Sequence, residues 1–139
     1  MSVPLFTVRV YWEDTDAGGL VYHANYLKFA ERARTEMLRH VGIEQTRLRA
    51  DSGLMFVVRR LVADFLAPAR LDDELTVATV LQRLGGASID LDQEIRRHDR
   101  PLLRLSLALA CLGHDGKPAR LPSSLKSAFA ALGENSNRL

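Results

Sequence analysis

Cysteine is nearly absent. The 139-residue chain has one, Cys111, so no disulfide can form within it; a small hydrophobe in an apolar strand is its simplest role, and a reducing compartment suits it. No window of about 20 apolar residues occurs, and the opening MSVPLFTVRV lacks a basic stretch followed by a long apolar run. A soluble, cytoplasmic protein without membrane insertion is predicted. An excess of one charge is missing too: 19 Lys plus Arg against 17 Asp plus Glu leave a formal +2. Although the pI is near 9.0, the basic residues are scattered, which implies no nucleic-acid partner. Lysine is much scarcer than arginine, the better bidentate phosphate ligand. Neither G-x-x-x-x-G-K-[ST] nor G-x-G-x-x-G is present, so no phosphate loop or dinucleotide fold is indicated. With no repeat, low-complexity segment or linker, and 47% hydrophobic residues, residues 1–139 are expected to form one domain.

What is present begins with periodicity. Residues 5–13 (LFTVRVYWE) alternate, with Phe6, Val8, Val10 and Trp12 on one face, and predict a half-buried strand. HANYLKFAERARTEMLRHVG then turns helical: Tyr26, Ala30, Ala33, Met37 and Val41 recur every three or four residues, and Gly42 supplies a stop. Four further strands are predicted at about 55–67, 73–84, 87–98 and 102–113, the last three joined by short turns at LGGAS and HDRP. SSLKSAFAALG has a serine start and a glycine stop, and predicts a short final helix. Strand, long helix, then four strands argues for an α+β fold with one antiparallel sheet. One helix cannot cover both faces and the edges of such a sheet, so self-association is expected.

Between the first strand and the helix lies EDTDAGGLVYHANY, residues 13–26. Its D-x-D-x-G-G opens like a calcium loop, but the twelfth position is Asn25 where a bidentate carboxylate is needed, and a strand precedes it. Asp14, Asp16 and His23 lack a further nitrogen or sulfur ligand for a transition metal, so no metal is expected. Cys111 with a distant histidine, or Ser88 with His98, offers no nucleophile elbow. What remains is a carboxylate just before a helix N-terminus, where unpaired amides and a partial positive charge stabilise a developing oxyanion. On spacing alone two roles stay open: Asp14 and Asp16 cap the turn and helix, or one of them performs catalysis.

The run VYWEDTDAGGLVYHANYLKFAERARTE resembles the active-site signature of the 4-hydroxybenzoyl-CoA thioesterase family of hotdog-fold proteins, in its Tol-Pal-associated acyl-CoA thioesterase branch. The likeness continues to residue 113 through PARLDDELTV and GASIDLDQEI. It implies a five-stranded antiparallel sheet wrapped around one long central helix, with subunits joining their sheets into a homodimer or homotetramer, and acyl-CoA bound at a subunit interface. It implies hydrolysis with no cofactor, Asp16 acting as nucleophile or general base. The backbone amide near His23 would polarise the thioester carbonyl, assisted by the His23 side chain. Asn25 and Tyr26 match the motif, with holding the turn as their simpler role. Glu31 falls where relatives face the acyl group, with a surface contact to Arg34 or Thr35 as the alternative. Phe56, Val57 and Val58, together with Gly86, Ala87 and Ser88, would flank the pantetheine and nucleotide. Some relatives carry basic residues before that serine; here Gly85, Gly86 and Ala87 stand instead, leaving Arg59, Arg60 and Arg83 as phosphate candidates or as a solvated face. A hotdog dehydratase and a non-catalytic acyl-CoA-binding module of an envelope-associated complex are the alternative functions.

Overall fold

A computed structural model describes residues 5–135, with side chains up to Leu132. In chain order it contains β1 (Phe6–Arg9), a 3-10 turn (Trp12–Asp14), α1 (His23–His40), α2 (Gln45–Ser52), β2 (Met55–Phe65), β3 (Glu74–Leu84), β4 (Ser88–Arg97), β5 (Arg100–Leu112) and α3 (Ser123–Asn135). The strands form one antiparallel sheet in the order β1-β3-β4-β5-β2. This is the α+β hotdog arrangement expected above.

One sheet face is apolar because residues two apart share a face. Leu75 and Val77, Ile89, Leu91 and Ile95, and Leu103, Leu105 and Leu107 are all buried. Against them lies the stripe Tyr26, Phe29, Ala30, Ala33 and Met37 of α1, none more than 4% exposed. Ala30 and Ala33 let the helix approach closely, and Gln93 of β4 donates from Nε2 to the Ala30 carbonyl across 3.0 Å. Burying one such Leu, Ile or Phe is worth about 1.5–3 kcal/mol, so this stripe is what fixes α1 to the sheet. The helix ends as anticipated: Gly42 takes φ +84°, and the Ile43 amide reaches back to Leu38 O at 2.9 Å. The final helix α3 packs against β3, and its Phe129 meets Phe56 edge-on at 5.8 Å.

Three expectations need correction. The first strand stops at Arg9, and Trp12, placed with the buried face by alternation, is 75% exposed. The Asp14 carboxylate accepts the Tyr11 amide at 2.8 Å and bends the chain out of the sheet into the 3-10 turn. Helix α2 was not anticipated; QTRLRADS has no apolar stripe, and only Leu48 among its residues is half-buried. Finally, α3 runs through Gly133 to Asn135 rather than stopping at the glycine.

Candidate active site

One aspartate of the motif is buried and the other exposed. Asp14, 5% exposed, is fully engaged: Oδ2 accepts the Tyr11 amide at 2.8 Å, Oδ1 accepts Asn25 Nδ2 at 2.7 Å, and its carbonyl accepts the Tyr22 amide at 2.9 Å. It therefore ties the strand exit to the first turn of α1, and Asn25 is the other half of that tie. Asp16 is exposed, and the Gly18 amide donates to its Oδ1 at 2.9 Å. The turn closes through Asp16 N to Leu20 O at 2.9 Å and Gly19 N to Asp16 O at 3.1 Å. Gly19 sits at φ +80°, which a side chain would strain, and a Cβ on Gly18 would stand 3.2 Å from Asp16 Oδ1. The glycine pair thus shapes the turn and leaves the carboxylate its room.

Beside Asp16, α1 begins. Its N-cap residue Tyr22 makes no side-chain capping bond; the Asn25 amide bonds Tyr22 O at 2.8 Å, while the amides of His23 and Ala24 lie in the turn where a helix offers no internal acceptor. Asp16, Tyr22, His23, Tyr26 and the segment Phe65–Pro68 line one cleft of about 470 Å³. That segment is held in place by α1 and the motif loop. The Ala69 amide donates to Tyr26 Oη at 2.9 Å, the Val21 amide donates to Ala69 O at 2.9 Å, and Leu20 bridges to Arg70. Burial raises the Tyr26 pKa above its ordinary value, while the Ala69 amide pulls the other way, so the phenol stays neutral and serves as the acceptor. Phe65 stands edge-on to His23 and Tyr26 at 6.4 and 5.8 Å. Sequence reasoning missed this wall. Nothing in FLAP signals it, because it depends on where β2 ends relative to α1.

Glu31, Phe56, Val57 and Val58 also come together, in a second groove of about 300 Å³ shared with Arg34 and Thr35. The two clefts have no lining residue in common. Phe56–Val58 and Phe65 lie toward opposite ends of β2, about 27 Å apart at a strand's rise per residue. The Asp14 carboxylate is taken up by Tyr11 and Asn25, and among the described residues no three His, Cys, Asp or Glu side chains are grouped to hold a metal ion.

The model of the Thioesterase superfamily matches residues 18–103, more than half of the sequence. The chain belongs to that superfamily. It is 45% identical over 125 residues to an acyl-CoA thioesterase, YbgC, of Haemophilus influenzae, covering 89% of this chain and 92% of that one. To the acyl-CoA thioester hydrolase YbgC of Escherichia coli O6:H1 it is 44% identical over 133 residues, covering 93% and 98%. The crystal structure of a probable thioesterase from Bartonella henselae superposes with a TM-score of 0.83 at 41% identity, covering 86% of this chain and 98% of that one.

In this thioesterase superfamily member the remaining candidates sit near the groove or away from it. Ala110 of β5 pairs with Val57 on one side and Ser88 on the other, so Gly86–Ser88 lie at the groove's end of the sheet, roughly 10 Å across two strand spacings. A Cβ on Gly85 would collide with Ser88 Oγ at 2.5 Å, and one on Gly86 would come within 3.9 Å of Arg120 Nη1. Arg120 is exposed and brings to this turn the positive charge that its glycines lack; sequence reading passed over it because it lies in the connection to α3. Arg59 and Arg60 line another groove, of about 380 Å³, beside Asp90 and Asp92. Arg83 pairs in register with Asp90, so these three arginines face acidic neighbours.

Proposed function

We propose that this chain hydrolyses acyl-CoA thioesters to the free acid and CoA. The observation that carries this reading is the meeting, in one cleft of a thioesterase-superfamily fold, of the Asp16 carboxylate and the uncapped N-terminus of α1. The thioester carbonyl accepts from the first-turn amides near His23, where the helix charge offsets the growing oxyanion. Asp16 then either attacks the carbonyl carbon, giving an anhydride that water opens, or takes a proton from the attacking water. In both routes the C–S bond breaks and CoA leaves as the thiol. Water is the second substrate and no cofactor is involved; prolonged dialysis against a strong chelator is expected to leave the rate unchanged, and loss restored by a divalent ion would contradict this.

The substrate spans two copies of the chain. Among the described residues β2 is hydrogen-bonded only to β5, and its other edge carries Val58, Val62 and Phe65, each 45–53% exposed. Antiparallel pairing of two β2 edges about Leu61 sets Phe65 of one copy opposite Val57 of the other. The Asp16 cleft of each copy then meets the partner's Glu31 groove, which takes the acyl chain, while the glycine turn and Arg120 are left for the CoA phosphates. The pairing also satisfies an eleven-residue edge that would otherwise invite aggregation. A homodimer, or a homotetramer built from two, follows.

The finer placement is the Tol-Pal-associated branch, cytoplasmic and working beside an envelope or lipid-synthesis complex; the long DTDAGGLVYHANY run supports it. Residues 1–139 act as one catalytic domain. The test of the activity is thiol release from acyl-CoAs of several lengths. Wild type is expected to turn them over, and Asp16→Asn to lose at least about a thousandfold, roughly 4 kcal/mol of barrier, with unchanged folding. Near-normal release by Asp16→Asn refutes the assignment.

A further inference from the structure

Arg34 is a buried cation with one hydrogen bond. It is 8% exposed, and its Nη1 donates to Gln93 Oε1 at 3.0 Å. Gln93, wholly buried, is held in turn by donation from Nε2 to Ala30 O and to Thr79 Oγ1, each at 3.0 Å. Among the described residues the Arg34 side chain makes no further hydrogen bond and no ion pair, although a guanidinium carries five N–H donors. Burial pulls its pKa below the ordinary value, and Glu31 acts through space in the opposite direction.

Among the described residues no buried side-chain nitrogen or oxygen lacks a partner, so the donors Arg34 leaves unused reach solvent, and Arg34 is one of the residues lining the Glu31 groove. One wall is apolar (Phe56, Val57, Val58 and Leu109), and the other carries Glu31, Arg34 and Thr35. A plain alkyl chain laid there would displace water from an under-bonded cation and give nothing back, which is unfavourable. An oxygen on the chain would complete the guanidinium's bonding. We propose that Arg34 is a specificity-determining residue that donates to an oxygen on the acyl chain, so that acyl-CoAs with a hydroxyl, oxo or carboxylate oxygen beyond the thioester are preferred over hydrocarbon chains of equal length. Glu31 repels an anion, so neutral oxygen acceptors lead and a carboxylate follows. The proposal rests on the hydrolase reading and on the shared site.

Thiol release from four four-carbon substrates tests it: butyryl-, 3-hydroxybutyryl-, 3-oxobutyryl- and succinyl-CoA. In wild type the kcat/KM of the neutral oxygenated pair is expected to exceed that of butyryl-CoA by about tenfold or more, the factor one hydrogen bond to a charged group supplies. Arg34→Met is expected to lower the oxygenated substrates at least about tenfold more than butyryl-CoA, a comparison that cancels their intrinsic reactivities. If Arg34→Met does not fold, Arg34→Lys, which keeps the charge but loses the planar fork, is expected to shrink the preference in the same direction. Glu31→Gln is expected to raise succinyl-CoA relative to the others. Wild-type indifference to the oxygen, or a parallel fall of all four substrates in the Arg34 variants, overturns the proposal. Absence of thiol release from every acyl-CoA would instead sink the hydrolase reading.

Discussion

Asp14 and Asp16, two residues apart, take different work because their surroundings differ. Asp14 receives hydrogen bonds on both carboxylate oxygens inside the protein, whereas among the described residues the Asp16 carboxylate receives one, from Gly18, and it lines the cleft. Substituting each by asparagine should separate the roles. Asp14→Asn keeps one acceptor oxygen where two are used, so it is expected to lower stability by about 1–3 kcal/mol while retaining much more activity than Asp16→Asn. Thermal melts beside thiol release check this, and a greater loss of turnover in Asp14→Asn would reverse the assignment. Gly18→Ala is the gentler probe. Its methyl would press on Asp16 Oδ1 from 3.2 Å, so kcat is expected to fall about tenfold, as small misplacements of reacting groups do, with little change in melting temperature. Unaltered kcat would mean the carboxylate has more freedom than the turn implies.

At the scale of elements, a cross-strand cluster makes the sheet's response to acid specific. Glu94 of β4, its side chain 5% exposed, accepts from Arg96 Nε at 2.5 Å and from Arg104 Nε of β5 at 3.0 Å. Burial alone would push its carboxyl pKa up, but the hydrogen bonds and charges of the two arginines outweigh this and hold it below the ordinary value of 4.5. A carboxyl depressed in the folded state stabilises above its unfolded pKa, and that stabilisation disappears as pH falls through the folded pKa. Wild type is therefore expected to lose stability below pH 4.5 more steeply than Glu94→Gln. Parallel acid-unfolding curves would contradict it. The long elements were legible because their apolar spacing is regular: α1 announces itself by its stripe and by Gly42, and β3 to β5 by alternation and short turns. Trp12 misled, since alternation persists in YWE although the Asp14 side chain has already turned the chain. Helix α2 was illegible because its residues are almost wholly solvated, so no period records it.

For the whole molecule, what the sequence could place depended on sequence distance. Asp16 and His23 are seven residues apart and belong to one turn and its helix, so local geometry brings them together. Phe65–Pro68, Arg34 over Gln93, and Arg120 at Gly86 depend on strand order and on how α1 and α3 lie across the sheet, which no local pattern records. The division of the site into two clefts at opposite ends of β2 is likewise a property of the fold. It leads to a decisive mixing measurement with two variants. Asp16→Asn removes the carboxylate, and Glu31→Trp fills the groove from an exposed helix position; each alone is expected to be inactive in thiol release. In a mixture allowed to exchange subunits, each heterodimer regains one site with Asp16 from one chain and the groove from the other. Recovery of about a quarter of wild-type specific activity is expected for random exchange between two-fold dimers. A mixture that exchanges subunits yet stays inactive would contradict a shared site built on Asp16.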